Sequence, residues 1–287
     1  MLVLAGHGLW EKGATKELEE ELERADVIYV ETYTMPSSSW ILEAVSKYGN
    51  KVLRASRSML EEGSRKIVEE AREKRVVVLT AGDPLMATSH QALLAEAAER
   101  GVDFVYAPGI SGVCAAKVFS GLQYYRFGRT ATVPGPWKGF KPYSIAAYIY
   151  GDLCVDLHTL LLMDISDEGE QLSPPAAARI VLDAEAVLEK ELGYRGSLKW
   201  LPAVVVERAG MPNARVRAYD SLSSLAATEE SFLEPSSVIV PATLNKVEAW
   251  IVGALARTKL GGSWTNRLKP REDYCSLYDK IMRWLSS

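Results

Sequence analysis

The chain is short of several residue types, and each shortage excludes something. Its 287 residues include three cysteines, Cys114, Cys154 and Cys275. They lie far apart and form no CxxC or Cys/His spacing. Neither a disulfide framework nor a zinc site is expected from them, and a reducing cytosol fits. Histidine is as scarce. His7, His90 and His158 stand alone, with no HxxxH or HExxH pair, so no metal site is expected. There is no GxSxG elbow to support Ser-His-Asp hydrolysis. No apolar run approaches the ~20 residues of a membrane span. Residues 1–5 are apolar but lack a basic flank, and Glu11 and Lys12 follow soon after, so they do not read as a signal peptide. The formal net charge is -4. An acidic balance lacks the basic footprint that nucleic-acid partners require, and no such partner is expected. Glutamine occurs only at Gln91, Gln123 and Gln171 beside abundant Glu, Arg and Lys, a weak lean toward a thermophile. No solenoid-like repeat is visible.

What is present describes a folded protein of two parts. Apolar residues make up 48% and charged residues 24%, which fits a packed core. The length suits two compact domains. The first half alternates short β-rich runs with helical ones. Strands are expected at residues 1–5, 27–31, 51–55, 76–80 and 104–106. Helices are expected at 15–25, 40–48, 58–74, 88–100 and 112–120, with Ser58 and Glu61 forming a capping box at the third. The unbroken run Val76-Val-Val-Leu-Thr80 reads as a strand covered on both faces. This β-α alternation defines an α/β protein whose N-terminal part is a mostly parallel open sheet. Residues 130–142 carry Pro134-Gly-Pro136 and read as a linker or turn. Beyond them a C-terminal α+β domain is expected. Its strands fall near 158–163, 201–207, 216–219 and 238–240. Its helices run from the Ser173 cap to 192 and over 247–256. The divisions are 1–130, 131–257 and an extension, 258–287, ending in an amphipathic helix near 276–285.

Ligands of open parallel sheets bind at the carboxyl ends of the strands. Four segments follow those ends, and three are rich in Gly or Pro. Gly6-His-Gly-Leu9 permits a tight turn or a close ligand approach. It is no dinucleotide fingerprint, because Glu11 occupies the third glycine position. Nor is it a phosphate loop, because Ala14 stands where the lysine is needed. Gly82-Asp83-Pro84 displays a carboxylate at the sheet edge, or equally forms a turn in which Asp83 bonds its own backbone. Pro108-Gly-Ile-Ser-Gly112 precedes a helix, where Ser111 is more simply an N-cap than an anion site. His90 lies in the first turn of a helix, where a protonated imidazole is disfavoured.

These turns, taken in order with a second α+β domain, resemble the tetrapyrrole methylase superfamily. Thr80-Ala-Gly-Asp-Pro-Leu-Met-Ala-Thr-Ser-His90 and Gly121-Leu-Gln-Tyr-Tyr-Arg-Phe-Gly128 are similar to signatures of its diphthine synthase branch. His158-Thr-Leu-Leu-Leu-Met-Asp-Ile165 and Glu207-Arg-Ala-Gly210 are similar to its second-domain strands. The resemblance spans residues 1–256. It implies a cytoplasmic homodimer that binds S-adenosylmethionine in the cleft between two domains. It also implies trimethylation of a 3-amino-3-carboxypropyl-histidine on translation elongation factor 2. By position, Leu9, Asp83, Met86, Ser111, Gly112, Met163, Ala209 and Ser236 would line the cofactor site. No residue stands out as a catalytic base. Two alternatives are a methylase of a precorrin-like macrocycle and a non-catalytic cofactor-binding dimer. The Ala87-Thr-Ser-His90 and Tyr125-Arg-Phe-Gly128 context favours the diphthine branch over the first. The sequence departs from the family at His7, where an apolar residue is usual, at Ala81, and in a longer Pro108–Gly112 segment.

Overall fold

In the computed structural model, which describes every residue except Ser37, the chain divides into two units, Met1–Ala115 and Ala116–Ser287. Each is built on one five-stranded sheet. The strands of the first are β1 (Leu2–Gly6), β2 (Val27–Glu31), β3 (Val52–Ala55), β4 (Val76–Thr80) and β5 (Phe104–Ala107), in the order β3-β2-β4-β1-β5. Every pairing among them is parallel. β4 and β1 have a neighbour on each side, and all residues of both are buried. Alternate side chains of these strands, Leu2, Leu4, Val76 and Val78, join Leu60, Ile67, Val68 and Leu93 from helices in one core. Each buried aliphatic side chain of this kind contributes about 1.5–3 kcal/mol.

Two local expectations change here. Residues 58–74 form two helices, Arg57–Glu61 and Ser64–Glu70, divided at Gly63. Ser56 caps the first by accepting from the Met59 N–H, so a single cap two residues earlier stands in place of the box expected at Ser58 and Glu61. The segment expected as helix 40–48 holds a short helix, Trp40–Ala44, followed by a 3-10 segment, Ser46–Lys51.

The second unit carries β6 (Phe127–Val133), β7 (His158–Met163), β8 (Ala203–Glu207), β9 (Arg215–Tyr219) and β10 (Ser236–Val240), in the order β6-β7-β10-β8-β9. β6 runs parallel to β7 and the remaining pairs are antiparallel. The start of the expected linker is therefore the end of an edge strand. Its alternation of Thr130, Ala131 and Thr132 suits a sheet margin. The helix Tyr143–Cys154 was not foreseen. Ile145, Ala146, Ala147, Ile149, Tyr150 and Leu153 are all buried in it, so no polar face marks it as amphipathic.

The helix Arg271–Leu285 packs on Tyr143–Cys154, with Tyr274 stacked against Tyr150 at 6.1 Å. Cys154 and Cys275 join the same two helices by a disulfide, with Cα atoms 4.8 Å apart. This corrects the expectation drawn from cysteine spacing. The partners are 121 residues apart, a separation at which sequence gives no sign of contact. It also removes cysteine usage as an argument for a reducing compartment. No helix among the described residues is long and apolar enough to cross a membrane.

Candidate functional site

In the first unit, three backbone segments meet at the carboxyl edge of the sheet. The turn after β1 bonds to the turn after β4, with Gly8 N–H donating to the Gly82 carbonyl at 3.1 Å and Gly82 N–H to the Gly8 carbonyl at 2.7 Å. Gly109, after β5, closes the group. A Cβ built on Gly6 would lie 2.7 Å from Gly109 N and would overlap the Gly82 carbonyl. A Cβ on Gly109 would overlap the same carbonyl and come within 2.8 Å of Gly6 C and O. Only glycine lets these backbones approach so closely. Gly8 and Gly82 also sit at φ +84° and +76°, where L side chains are strained.

The predicted residues of this unit gather round that junction unequally. Leu9 is buried, and its Cδ2 lies 3.5 Å from where a Cβ on Gly112 would stand and 3.8 Å from one on Gly82. Leu9 and Gly112 thus line one patch. Met86 lies in the turn beyond Pro84 and is 40% exposed. Ser111 is buried, and its Oγ accepts from the Val113 N–H at 3.2 Å, the capping role its position suggested.

Asp83 is buried with both carboxylate oxygens engaged. Oδ1 accepts from the Leu85 N–H at 3.0 Å, the local turn considered from sequence. Oδ2 accepts from the Tyr106 hydroxyl at 2.5 Å and from the Gly109 N–H at 3.3 Å. Burial, then the bond to Asp83, pushes the Tyr106 phenol up to about 12. Asp83 therefore fastens the Gly109 loop to the end of β4. Sequence reasoning did not find Tyr106. The one available sign was its place two residues after Phe104, on the partly exposed face of an edge strand.

His90 is buried, with Nδ1 3.2 Å from the Pro84 carbonyl and Nε2 3.4 Å from the Tyr33 hydroxyl. Burial lowers its pKa, against the opposing effect of Glu31, so the ring stays neutral. Its role is to pin the turn that follows Asp83.

The remaining three predicted residues lie in the second unit, at one end of its sheet. β10 pairs Ser236 with Glu207, two residues before Ala209. It also pairs Ser237 with Leu162, one residue before Met163. The register thus brings Met163, Ala209 and Ser236 to the same margin. Met163 and Ser236 are buried, and Ala209 is partly exposed. Ser236 Oγ donates to Gln171 Oε1 at 3.0 Å, and its N–H donates to the same oxygen at 2.8 Å. Ala209 lies between Arg208 at φ 52° and Gly210 at φ 74°, a tight left-handed turn. Gln171 and Arg208 were missed, because neither belongs to a motif with a mechanism of its own.

A model of the tetrapyrrole (corrin/porphyrin) methylases matches residues 1–225. The chain belongs to this family and is a methyltransferase, and within the family it falls among the diphthine synthases. It is 43% identical over 257 residues to a diphthine synthase of Aeropyrum pernix, an alignment covering 88% of this chain and 86% of that one. It is 37% identical to a diphthine synthase of Pyrobaculum aerophilum, covering 86% of this chain and 94% of the other. Among solved structures, a protein from Aeropyrum pernix described as conserved and hypothetical superposes with a TM-score of 0.87 at 39% identity, covering 100% of this chain and 98% of that one. A crystal structure of diphthine synthase superposes with a TM-score of 0.78 at 31% identity, covering 92% and 98%.

Proposed function

We propose that this methyltransferase takes its methyl group from S-adenosylmethionine and delivers it to translation elongation factor 2. The acceptor would be the amino group of a 3-amino-3-carboxypropyl-histidine, methylated three times on the route to diphthamide. The observation that carries this reading is identity to diphthine synthases over nearly the whole chain. We place the reaction in the cytoplasm, where a translation factor works, and infer a homodimer from the resemblance.

The residues present suit the cofactor. The glycine junction of Gly6, Gly82 and Gly109 presents bare backbone at the sheet edge, and Leu9 with Gly112 offers an apolar patch beside it. Met86 is exposed at the same edge. Backbone amides and carbonyls at such an edge can bind the polar parts of a ligand without side chains.

Held at the edge formed by Gly6, Gly82, Gly109, Leu9 and Gly112, S-adenosylmethionine would supply an electrophilic methyl group, its carbon–sulfur bond exchanged for a carbon–nitrogen bond with a thioether as leaving group. The nitrogen releases one proton per methyl. The protein's contribution is alignment of nitrogen, carbon and sulfur. Asp83 serves this by holding the Gly109 loop. Its oxygens already accept three hydrogen bonds that hold this turn, so Asp83 is read as a positioning residue, and water is the simplest acceptor of the amine's proton.

Mass spectrometry of intermediate-bearing factor after incubation with enzyme and cofactor tests the reading. Three added methyl groups on the modified histidine are expected. A product that stops at one, or methyl groups on another residue, would contradict it.

A further inference from the structure

β6 is an edge strand, paired with β7 on one side and with no strand on the other. Along a strand, the backbone N–H and C=O groups of successive residues point alternately to the two sides. The Val133 carbonyl accepts from the N–H of Asp164, just past β7, at 3.2 Å. Val133 and Ala131 therefore face β7, and Thr130 and Thr132 turn their backbone groups outward. No hydrogen bond from outside the sheet reaches Thr130 or Thr132 among the described residues. Thr132 is exposed, Thr130 is half-buried, and both line a cavity of about 800 Å³. The rim of that cavity is cationic, although the whole chain has a net charge of -4. Arg129, Lys138 and Lys141 line it, all exposed and without an ion-pair partner among the described residues. Arg129 lies over the Tyr148 ring, with Cζ 4.1 Å from its centroid. The nearby carboxylates are spent within the fold. Asp164 Oδ2 accepts from the Gly135 N–H at 3.0 Å and the Trp137 indole N–H at 2.8 Å, which fixes the loop carrying Lys138 and Lys141. Asp152 is buried and accepts from the Arg129 N–H at 2.9 Å and the Thr159 hydroxyl at 2.7 Å.

We propose that the open edge of β6 takes up an extended, acidic segment of a partner protein as an added strand. Each part of that description answers a feature of the edge. The outward N–H and C=O groups of Thr130 and Thr132 have the spacing of a ladder, which another extended backbone matches. A helix has spent its own backbone groups and cannot complete the ladder. The three cations select acidic side chains on the incoming segment. Phe140, 64% exposed between Lys138 and Lys141, gives its apolar side chains a surface. A second copy of this chain is disfavoured, because pairing β6 with itself would bring the same cations together. Positive charge guards an edge against its own kind, and the same charge leaves it open to an acidic strand.

The edge and its cations lie wholly within the second unit. The proposal therefore stands without the methyl-transfer reading, although a protein acceptor is a kind of partner that such an edge would hold.

The probe is the peptide acetyl-Glu-Val-Glu-Thr-Glu-Val-Glu-amide, and the control is its counterpart with lysine in place of each glutamate. Amide exchange is followed by nuclear magnetic resonance in the full-length protein with labelled threonine. Thr130→Ser and Thr132→Pro variants identify the two edge signals. In the protein alone, both amides should exchange far faster than that of the buried Thr159 in β7. The acidic peptide should slow Thr130 and Thr132 saturably, at least tenfold, and leave Thr159 unchanged. The lysine peptide should protect neither. Thr132→Pro removes one outward N–H, and proline is tolerated at an edge whose N–H faces solvent. It should hold the thermal midpoint and lower peptide affinity at least tenfold. Lys138→Glu with Lys141→Glu should weaken the acidic peptide as much without unfolding, since both side chains are exposed. Unslowed exchange at Thr130 and Thr132, or equal protection by the lysine peptide, would overturn the proposal. So would slow exchange at both sites in the protein alone, and its quickening on dilution would make a second copy the occupant of the edge. Loss of methyl transfer with peptide protection intact would count against the proposed function alone.

Discussion

Gly109→Ala places one methyl group where three backbones converge. Its Cβ would overlap the Gly82 carbonyl and lie 2.8 Å from Gly6 C and O, whereas real Cβ atoms stay beyond 3.0 Å. Every atom in the way is backbone, at the ends of β1 and β4, so no flexible side chain can yield. Overpacking of a close-packed site costs about 1–3 kcal/mol, and a clash with rigid backbone belongs at the upper end. For a chain of this size, about 3 kcal/mol lowers the thermal midpoint by roughly 6–12 °C. The same displacement parts the Gly82 and Gly109 segments and stretches the 3.3 Å bond from Gly109 N–H to Asp83. Affinity for S-adenosylmethionine should fall at least tenfold. Calorimetric unfolding and titration calorimetry read the two effects on one preparation. Gly261→Ala is the control, because a Cβ there meets nothing closer than 3.7 Å. If Gly109→Ala kept both the midpoint and the affinity of the unaltered protein, the junction would be neither tightly packed nor part of the cofactor site.

Other consequences follow from named contacts. Tyr106→Phe removes a donor to buried Asp83, a bond of a kind worth about 1.5–3 kcal/mol and worth less here because Tyr106 is partly exposed. A lower urea midpoint together with a raised KM for cofactor is expected, and an unchanged KM would detach Asp83 from the site. Glu248 is fully buried between Arg126 and His158. Burial raises its pKa, but bonds from His158 and from the Gln123 and Asn245 N–H groups outweigh this and hold it at about 2. A depressed carboxyl pKa stabilises the fold above the ordinary value of 4.5, and that stability is lost as pH falls from there toward 2. The amount is on the order of 3 kcal/mol. Burial keeps His158 neutral despite Glu248, so protonating it costs stability in the same direction, beginning as pH falls through 6.5. Urea midpoints between pH 7 and pH 2 should therefore decline, and the deficit of Glu248→Gln should shrink toward the acid end. A flat profile would refute the network's role. Reducing the Cys154–Cys275 bridge, or Cys275→Ser, should lower stability by about 2–5 kcal/mol by freeing a loop of 121 residues. Equal denaturation midpoints with and without reductant would show that helix packing alone holds Arg271–Leu285 in place.

The parts of the fold visible in the sequence are those governed by local pattern. Val76–Thr80 announced a central strand because five β-branched or apolar residues in a row suit burial on both faces. Ser173 before two prolines marked the start of Pro174–Leu192 because cap chemistry is local. The helix Tyr143–Cys154 lacked a polar face, and the edge strand Phe127–Val133 carried glycine and threonine that resemble a loop. The disulfide and the Asp83–Tyr106 bond join residues 121 and 23 positions apart, beyond any window of pattern reading.

The candidate site divides in the same way. The glycine turns were legible because glycine has a specific backbone use. The meeting of Gly6, Gly82 and Gly109 depends on the strand order β4-β1-β5, which the sequence does not state. His7 stood out only as a departure from the family. Its packing edge-on against Trp40, 33 positions away, is visible only in the fold.

The central claim is tested most directly by transfer of label. The purified protein is incubated with methyl-labelled S-adenosylmethionine and elongation factor 2 bearing the 3-amino-3-carboxypropyl-histidine, with unmodified factor in parallel. Label on the intermediate-bearing factor and none on the unmodified one is the predicted result. Cofactor binding without transfer to either would contradict the proposed substrate, and label on both alike would contradict the proposed acceptor group.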